Sequence, residues 1–302
     1  MIRLIELLPH PQRLLQLFCI VSELVTLILA NTPQIAKSGK TVGRKHNLSI
    51  TEAITISLYR FLFPWTDFKH YYGFVQNYHS SDFPKLPHYD NMLTYQKQLL
   101  PFFLHVLGVL IAINRCAFKN KKIRIMFIDG SALPVCVNKR IFTHKVTKKV
   151  AKRGKSSMGW FYGFKLHLLI DAGGNILGVT ITPGNVDERT QVKKLLGDIR
   201  DSLCVGDGGY IKALLQKELF EENGIQFITG VRKTMKRLLT KEQHSLLKAR
   251  QLVETVIGSC KHRLGMSFRL HRSIEGYQVH FVVTLIAYTL FKNLARIPLL
   301  PP

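Results

Sequence analysis

The spacing of hydrophobic residues changes near residue 120. Before it, apolar positions recur every three to four residues, which predicts helices over 1–30, from Ser49 onward, and over 89–114 with a break near Pro101. The helix from Ser49 begins Ser-Ile-Thr-Glu, the spacing of a capping box. Residues 31–48 are polar and punctuated by glycine, so they predict a mobile basic linker.

After residue 120 the apolar runs become short. Strands are predicted over 123–129, 163–171, 175–182, 203–207 and 225–230, helices over 187–203 and 211–222, and long helices from there to about 295. The sequence Ala-Gly-Gly at 172–174 predicts a hairpin between the second and third strands. Together these elements predict an α/β fold, a mixed sheet flanked by helices. We therefore expect an all-helical region over 1–120 and an α/β domain over 121–302.

Two apolar stretches raise the question of a membrane. Residues 14–30 contain polar side chains, among them Glu23, and residues 281–291 are only 11 long. A helix needs about 20 apolar residues to cross a bilayer. We expect both stretches to be buried helices and expect no membrane partner.

The charge balance indicates a polyanionic partner. The chain has 43 Lys and Arg against 19 Asp and Glu, a net charge of +24. Nucleic acid is the first candidate and an acidic membrane surface the second. Five cysteines without CxxC spacing indicate buried, reduced thiols of a cytoplasmic protein. The helical region is then either a DNA-binding module or a cap over the second domain with an aromatic core.

Three acids have the pattern of a metal site. Asp129 and Asp207 each end a predicted strand and precede glycine, so both would face the crevice beyond the strand ends, unless they are turn residues that cap helices. Glu254 shares a predicted helix face with Arg250 and Lys261, which is alternatively a solvated face with ion pairs. We refer to Asp129, Asp207 and Glu254 as the acidic triad. Carboxylates suit Mg²⁺, and two such ions about 4 Å apart promote in-line displacement at phosphorus.

A basic segment lies between the first two acids. Residues 139–155 contain eight Lys and Arg, including Lys152, Arg153 and Lys155, and Trp160 and Phe161 follow. A basic loop of this kind can bind backbone phosphates, and an adjacent aromatic ring can stack on an unpaired base. The alternative for the basic run is a solvated loop. For the two aromatic residues, packing in the core at the start of a strand is the favoured interpretation.

These motifs, in this order, resemble a known family. Ile128-Asp129-Gly130, then Gly206-Asp207-Gly208-Gly209-Tyr210, then Arg250-x3-Glu254-x6-Lys261 resembles the DDE transposases of bacterial insertion sequences over about residues 120–295. Segments 155–167 and 182–187 are also similar to that family. The resemblance implies an RNase H-like core in which the acidic triad holds two Mg²⁺ ions, which Mn²⁺ can replace.

The resemblance also implies a reaction and its partners. Water would nick double-stranded DNA at the terminal inverted repeats, and the freed 3′-hydroxyl would attack target DNA. A homodimer on DNA, in the bacterial cytoplasm at the nucleoid, is implied as well. Arg250 and Lys261 match the family's helix signature and would contact DNA phosphates. Trp160 and the basic residues before it complete the expected DNA contacts.

Two positions depart from the family pattern. Gly208 stands where relatives often have lysine, and Leu247 stands where they often have tyrosine. Two other functions stay open: a decayed or repurposed sequence-specific DNA-binding protein, and an RNase H-like nuclease that only hydrolyses. Complete retention of the acidic triad favours the transposase, because clustered carboxylates repel phosphates and would be of no use to a protein that only binds DNA.

Overall fold

A computed structural model describes residues 10–32, 34, 47–63, 67–230, 239–269 and 271–292. The chain divides into two compact units. The first comprises Met1–Leu110, Leu264–Met266 and His271–Pro302, and the second Ile111–Arg263 and Ser267–Leu270. Most of the linker predicted over 31–48, and the predicted end of the last helix near residue 295, lie outside the described residues.

The described helices, in chain order, are α1 (His10–Asn31), α2 (Ile50–Tyr59), α3 (Phe68–Tyr78), α4 (Tyr89–Gln98), α5 (Leu100–Lys119), α6 (Val192–Leu196), α7 (Ala213–Asn223), α8 (Lys241–Ala249), α9 (Gln251–Gly258) and α10 (Ile274–Phe291). The strands are β1 (Ile125–Cys136), β2 (Lys152–Ser156), β3 (Gly159–Asp171), β4 (Ile176–Pro183), β5 (Leu203–Gly206) and β6 (Gln226–Thr229). Short 3-10 turns cover Arg60–Leu62, Asn138–Arg140, Glu188–Gln191 and Gly208–Tyr210, and a π-helical turn covers Ser259–Arg263.

Local sequence sets the helix ends of the first unit. The hydroxyl of Ser49 accepts a hydrogen bond from the Glu52 amide at 3.2 Å, and the Glu52 carboxylate accepts one from the Ser49 amide at 2.7 Å. This confirms the predicted capping box. The break between α4 and α5 falls at Leu99, so Pro101 lies in the first turn of α5, where its missing N–H costs no helical hydrogen bond.

Three of the described helices are long and apolar enough to cross a membrane, judged by length and composition: Gln12–Asn31, Leu100–Lys119 and Ile274–Phe291. The argument that 281–291 is too short is therefore wrong, because that stretch belongs to an 18-residue helix. In this helix 72% of the residues are buried, as expected, whereas in the first helix only 33% of the residues are buried. The prediction of a buried helix over 14–30 is thus wrong for much of its surface, where Leu15 and Leu27 are exposed.

A six-stranded mixed sheet forms the centre of the second unit. β3 pairs antiparallel with β1 along one edge; along its other edge it pairs with β2 over residues 159–163 and with β4 over residues 164–170. β5 lies parallel to β1 and to β6. The strand order therefore runs from β2 and β4 through β3, β1 and β5 to β6. Met126 and Ile128 of β1 are fully buried, as expected for a strand with covered faces.

Three predicted boundaries in this unit are wrong. β1 does not end at Asp129, because its ladder with β3 continues to Pro134 and beyond. The end of the predicted basic loop is strand β2, which pairs with the start of β3. The helix predicted over 187–203 is reduced to a 3-10 turn and α6, because Gly197 takes a φ of 57° that helices do not use.

All five cysteines are free thiols. Cys136, Cys204 and Cys260 are buried, but Cys19 and Cys116 are exposed. The expectation of reduced thiols agrees with this arrangement, and the expectation of burial is wrong for two of the five.

Candidate active site

The two aspartates lie just beyond the same end of the parallel ladder between β1 and β5. β1 and β5 pair from Ile125 with Leu203 to Phe127 with Val205. Asp129 stands two residues beyond the last pair on β1, and Asp207 stands two residues beyond it on β5. Parallel pairing with equal offsets places both side chains at the carboxyl edge of the pair, where open α/β sheets bind ligands.

Asp129 is largely buried and is held at both oxygens. Its Oδ1 accepts a hydrogen bond from the Gly130 amide at 2.8 Å, and its Oδ2 lies 3.1 Å from Nη1 of Arg250. Burial raises the pKa of Asp129 to about 6, although Arg250 and the Gly130 amide act to lower it. The charges of Asp207 and Glu188 raise this pKa further, so both carboxylates lie within electrostatic reach.

Asp207 also has the capping role that its sequence left open. Its Oδ1 accepts a hydrogen bond from the Gly209 amide at 2.8 Å and so begins the 3-10 turn of residues 208–210. A Cβ on Gly209 would lie 3.0 Å from this Oδ1, so glycine leaves room for the capping carboxylate. Capping fixes the direction of the carboxylate and is therefore compatible with a role in the site.

Arg250 connects Glu254 to the first aspartate. It lies at the junction of α8 and α9, and its Nη2 is 2.6 Å from Oε1 of Glu254 while its Nη1 contacts Asp129. Lys261 lies in the π-helical turn after α9, and its Nζ donates to Oγ of Ser131 at 3.1 Å. The sequence-predicted helix residues are thus brought to β1, next to Asp129.

A further acid, Glu188, lies against Gly130, next to Asp129 in the chain, and was not singled out from the sequence. It belongs to the 3-10 turn after β4, and its Oε1 is 3.3 Å from Nζ of Lys165 on β3. The sequence signal was present, because Glu188 directly follows the segment 182–187 that carries the family resemblance. The sequence pattern by itself predicts only that Glu188 lies in the first turn of a helix over 187–203.

A family model described as Transposase DDE domain matches residues 119–274, just over half of the chain. The chain belongs to the transposase DDE domain family. The matched span contains the whole acidic triad together with Arg250 and Lys261. No curated protein and no solved structure matches the chain.

Membership confirms the fold prediction and the general class of function. The mixed sheet flanked by helices, with a helical region before it, is the RNase H-like architecture of a DDE transposase domain. The family consists of nucleic-acid-processing enzymes that act on DNA, generally in the cytoplasm, and that generally use divalent metal ions.

Four of the six predicted DNA-contact residues of this transposase domain lie on one hairpin. Arg153 and Lys155 of β2 are directly opposite Tyr162 and Trp160 of β3, so their side chains share a face of the hairpin. The guanidinium of Arg153 lies 5.0 Å from the centre of the Trp160 ring, and Nζ of Lys155 lies 6.0 Å from it. Lys152 is exposed on the same strand.

The two aromatic residues at the start of β3 differ in burial. Phe161 is buried, as the core-packing interpretation required, but Trp160 is 53% exposed, so that interpretation is wrong for Trp160. Alternation along the strand accounts for this, because neighbouring residues face opposite sides of a sheet. An indole ring between two cations and solvent remains accessible to a nucleobase.

A cavity of about 450 Å³ extends from the hairpin to Glu188 and the turn after Asp207. Its lining includes Arg153, Lys155, Trp160, Lys165, Glu188 and Gly209. Gly209 is the residue that the Asp207 side chain caps. The cationic and aromatic face is therefore continuous with the neighbourhood of Asp207.

The acids suit a divalent cation by donor type, since Mg²⁺ and Mn²⁺ prefer carboxylate oxygen. Burial of Asp129 also calls for nearby positive charge, which Arg250 supplies in this structure. Across the described ranges, no three His, Cys, Asp or Glu side chains converge closely enough to hold a metal ion. The residues thus fit the ion by their chemistry, and its entry between Asp129 and Glu254 requires the guanidinium to withdraw.

Proposed function

We propose that this chain is an active transposase of a bacterial insertion sequence. It nicks DNA at the terminal inverted repeats and transfers the 3′-hydroxyl into target DNA. The observation that carries the proposal is the position of Asp129 and Asp207, at the carboxyl edge of adjacent parallel strands in a chain of the transposase DDE domain family. Glu254, joined to Asp129 through Arg250, completes the acidic triad.

Asp129, Asp207 and Glu254 would hold two Mg²⁺ ions, and Mn²⁺ would replace them. When bound, such ions activate the attacking oxygen and stabilise the leaving oxygen in an in-line displacement at phosphorus. The chain itself supplies the setting. Partial burial of Asp129 limits the access of water to the first carboxylate. Arg250 and Lys261 provide positive charge that offsets repulsion between the acids and DNA phosphates.

DNA binding is assigned to the hairpin and to the first unit. Lys152, Arg153 and Lys155 would bind phosphates, and the exposed ring of Trp160 would stack on an unpaired base. The helical first unit would bind the element ends, because the excess of positive charge is not confined to the second. Two ends are joined in one reaction, so we infer a homodimer on DNA, located with the nucleoid.

One observation favours the alternative of a protein that binds DNA without cutting it. The guanidinium of Arg250 lies between the carboxylates of Asp129 and Glu254, where a cation would bind. A decayed relative would keep this ion pair permanently. An active enzyme must open it when metal and DNA bind.

A nicking assay on labelled DNA that spans the gene's own flanks tests the proposal. Wild type, Asp207→Asn and the control Asp201→Asn are compared with Mg²⁺, with Mn²⁺ and without metal. Asp201 lies at the opposite end of β5 and has a φ of 45°, which asparagine tolerates. We expect a cut at a defined 3′ end, present only with metal and lost only in Asp207→Asn, which should still bind DNA.

Other results decide against parts of this proposal. Cleavage by Asp207→Asn at the wild-type rate would refute the acidic triad. Binding without cleavage by the wild type would establish the non-cutting alternative. Cleavage without joining of the 3′ end to a target plasmid would indicate a nuclease that only hydrolyses.

A further inference from the structure

The tip of the β2–β3 hairpin carries an exposed apolar side chain. Ser156 pairs with Gly159, so the turn between the strands consists of two residues, Ser157 and Met158. Met158 is 97% exposed. Turns of this length usually contain Asn, Asp or Gly, which are polar or lack a side chain and tolerate positive φ. The turn itself therefore gives no reason for a thioether at this position.

The hairpin holds its tip in a fixed place. Gly159 has a φ of 107°, which glycine adopts readily, and the Ser156 hydroxyl donates to its carbonyl oxygen at 3.2 Å. At the base of the hairpin, Gly154 is buried, and a Cβ built on it would lie 2.0 Å from the carbonyl oxygen of Gly184. The strand thus packs directly on the turn after β4, and Met158 projects from an anchored base.

The hairpin is long enough for its tip to reach the bases of a DNA duplex. The chain runs three residues from Gly154 to the start of the turn at Ser157, a distance of about 10 Å at about 3.3 Å per residue. The two grooves of B-DNA are about 7.5 and 8.5 Å deep, and the major groove admits a two-stranded β-ribbon. A duplex bound along the hairpin would therefore bring base edges within reach of Met158.

The charges beside the tip indicate which partner it meets. Lys155 pairs with Trp160 directly behind the turn, and Arg153 is one residue pair further back on the exposed side of the same strand. A single exposed methionine would need no explanation on a protein surface. An apolar tip flanked by cations, however, is the combination with which proteins hold the DNA backbone and enter between bases. The family also acts on DNA.

We propose that Met158 inserts as a wedge between two neighbouring base pairs and bends the DNA whose backbone Arg153 and Lys155 hold. This rests on the proposed function, because it takes DNA as the ligand of the same hairpin. The cations supply affinity and position the duplex, whereas the apolar side chain distorts it. The affinity for DNA and the bend are therefore separate properties that can be measured independently.

Energy transfer between dyes at the two ends of a short duplex from the gene's flanks tests the wedge. The full-length protein is added to saturation without divalent metal, so that the DNA stays uncut. We expect the wild type to raise the energy transfer, with a bend in the range of about 20–90° that apolar wedges produce. Met158→Ala should lose most of this rise. Met158→Leu should retain it, because leucine is also an apolar wedge.

Two control variants separate the wedge from the loss of any exposed side chain. Leu214→Ala removes an exposed apolar side chain from α7 and should bend DNA like the wild type. Lys155→Gln should require more protein for saturation but should then give the wild-type bend, because Lys155 only holds the backbone. Circular dichroism checks the fold of Met158→Ala, which should be unchanged because Met158 is exposed.

The outcomes distinguish this proposal from the one on which it rests. A wild-type bend in Met158→Ala, or no bend in the wild type, would overturn the wedge, and nicking of the flanking DNA with Mg²⁺ would then leave the transposase proposal intact. A wild type that bends DNA through Met158 but never nicks it would support the wedge and overturn the transposase proposal. A wild-type bend in Met158→Ala together with weaker binding to phosphatidylserine vesicles would assign the tip to a membrane surface instead.

Discussion

The guanidinium of Arg250 lies 3.1 Å from the carboxylate of Asp129. The same group is 2.6 Å from Glu254, so one cation satisfies two acids of the triad. In the absence of metal this contact neutralises a buried carboxylate whose pKa burial raises to about 6. A divalent ion and Arg250 therefore compete for the same oxygens.

Replacement of Arg250 by glutamine should strengthen metal binding to the DNA-free protein. We expect the Mn²⁺ affinity to rise several-fold, because the neutral amide no longer competes for Asp129 and Glu254. Arg200→Gln is the control, since Arg200 is exposed and donates to backbone carbonyls at the other end of β5. Calorimetry measures both variants. A Mn²⁺ affinity of Arg250→Gln equal to or weaker than that of the wild type would show that Arg250 does not compete with the metal ion.

Removal of the exposed indole should weaken binding to DNA with unpaired bases. For Trp160→Ala we expect a loss of about 1–3 kcal/mol, the usual contribution of one stacked base. Trp160→Phe keeps an aromatic ring and should lose less binding free energy than Trp160→Ala. Phe220→Ala removes a ring of α7 that is also more than half exposed, and it should leave DNA binding unchanged. Fluorescence anisotropy with forked and fully paired duplexes measures the difference, and equal losses on the two substrates would exclude stacking on an unpaired base.

The basic strand should contribute salt-dependent affinity that does not depend on DNA sequence. Each of Lys152→Gln, Arg153→Gln and Lys155→Gln should reduce the slope of log K against log salt by about 0.9, the value for one neutralised phosphate on duplex DNA. Lys217→Gln serves as the control, because Lys217 is an exposed side chain of α7. Titrations at several salt concentrations give the slopes. A slope unchanged in all three variants would place the phosphate contacts elsewhere.

A methyl group at position 154 should destabilise the second unit. A Cβ on Gly154 would lie 2.0 Å from the carbonyl oxygen of Gly184, a backbone atom that cannot move without shifting the turn after β4. We expect Gly154→Ala to lower the free energy of unfolding by about 1–3 kcal/mol, the usual cost of overpacking. Gly258→Ala meets no atom within 4 Å and lies in α9, so it should be neutral or stabilising. Urea titration measures both.

The first unit should lose stability in mild acid through His280. Its Nδ1 lies 3.0 Å from Nη2 of Arg60, which can only donate, and its Nε2 donates to the carbonyl of Gly265 at 2.8 Å. Burial lowers the pKa of His280 well below 6.5, as does the charge of Arg60. The unfolded chain therefore binds one more proton below pH 6.5, and stability is lost as the pH falls below that value.

The expected loss is about 1.4 kcal/mol per pH unit for each such proton. His280→Gln should be less stable at pH 7 but should show a shallower decline between pH 6 and pH 5. His262→Gln replaces an exposed histidine and should leave the decline unchanged. Unfolding free energies from urea titrations at several pH values supply the test. If the unfolding free energy of His280→Gln falls as steeply with pH as that of the wild type, groups other than His280 cause the loss.

Much of this architecture could be predicted from local patterns. The capping box at Ser49, the break before Pro101 and the apolar strands of the mixed sheet follow from contacts within a few residues of each other. The order of the acidic motifs along the chain also pointed to the transposase DDE domain family, which the family match confirms. Local chemistry leaves little freedom for such features.

The composition of the site was less accessible from sequence. Asp171 also ends an apolar strand before a glycine turn, as Asp207 does. Because β3 is antiparallel to β1, Asp171 pairs with Met126, three residues before Asp129 on that strand. It instead binds Lys121 and the backbone of its own turn. Strand direction separates the two cases, and strand direction is a property of the sheet.

By itself, then, the sequence determined the helices and strands, the excess of positive charge and the residue types of the site. Only the tertiary structure decided that Glu188 lies against Gly130, that Arg250 lies between two acids and that Trp160 faces solvent. The physical reason is range. Helix caps, turns and alternation act between near neighbours, whereas these three relationships join residues 58 and 121 positions apart or depend on which face of a strand is covered.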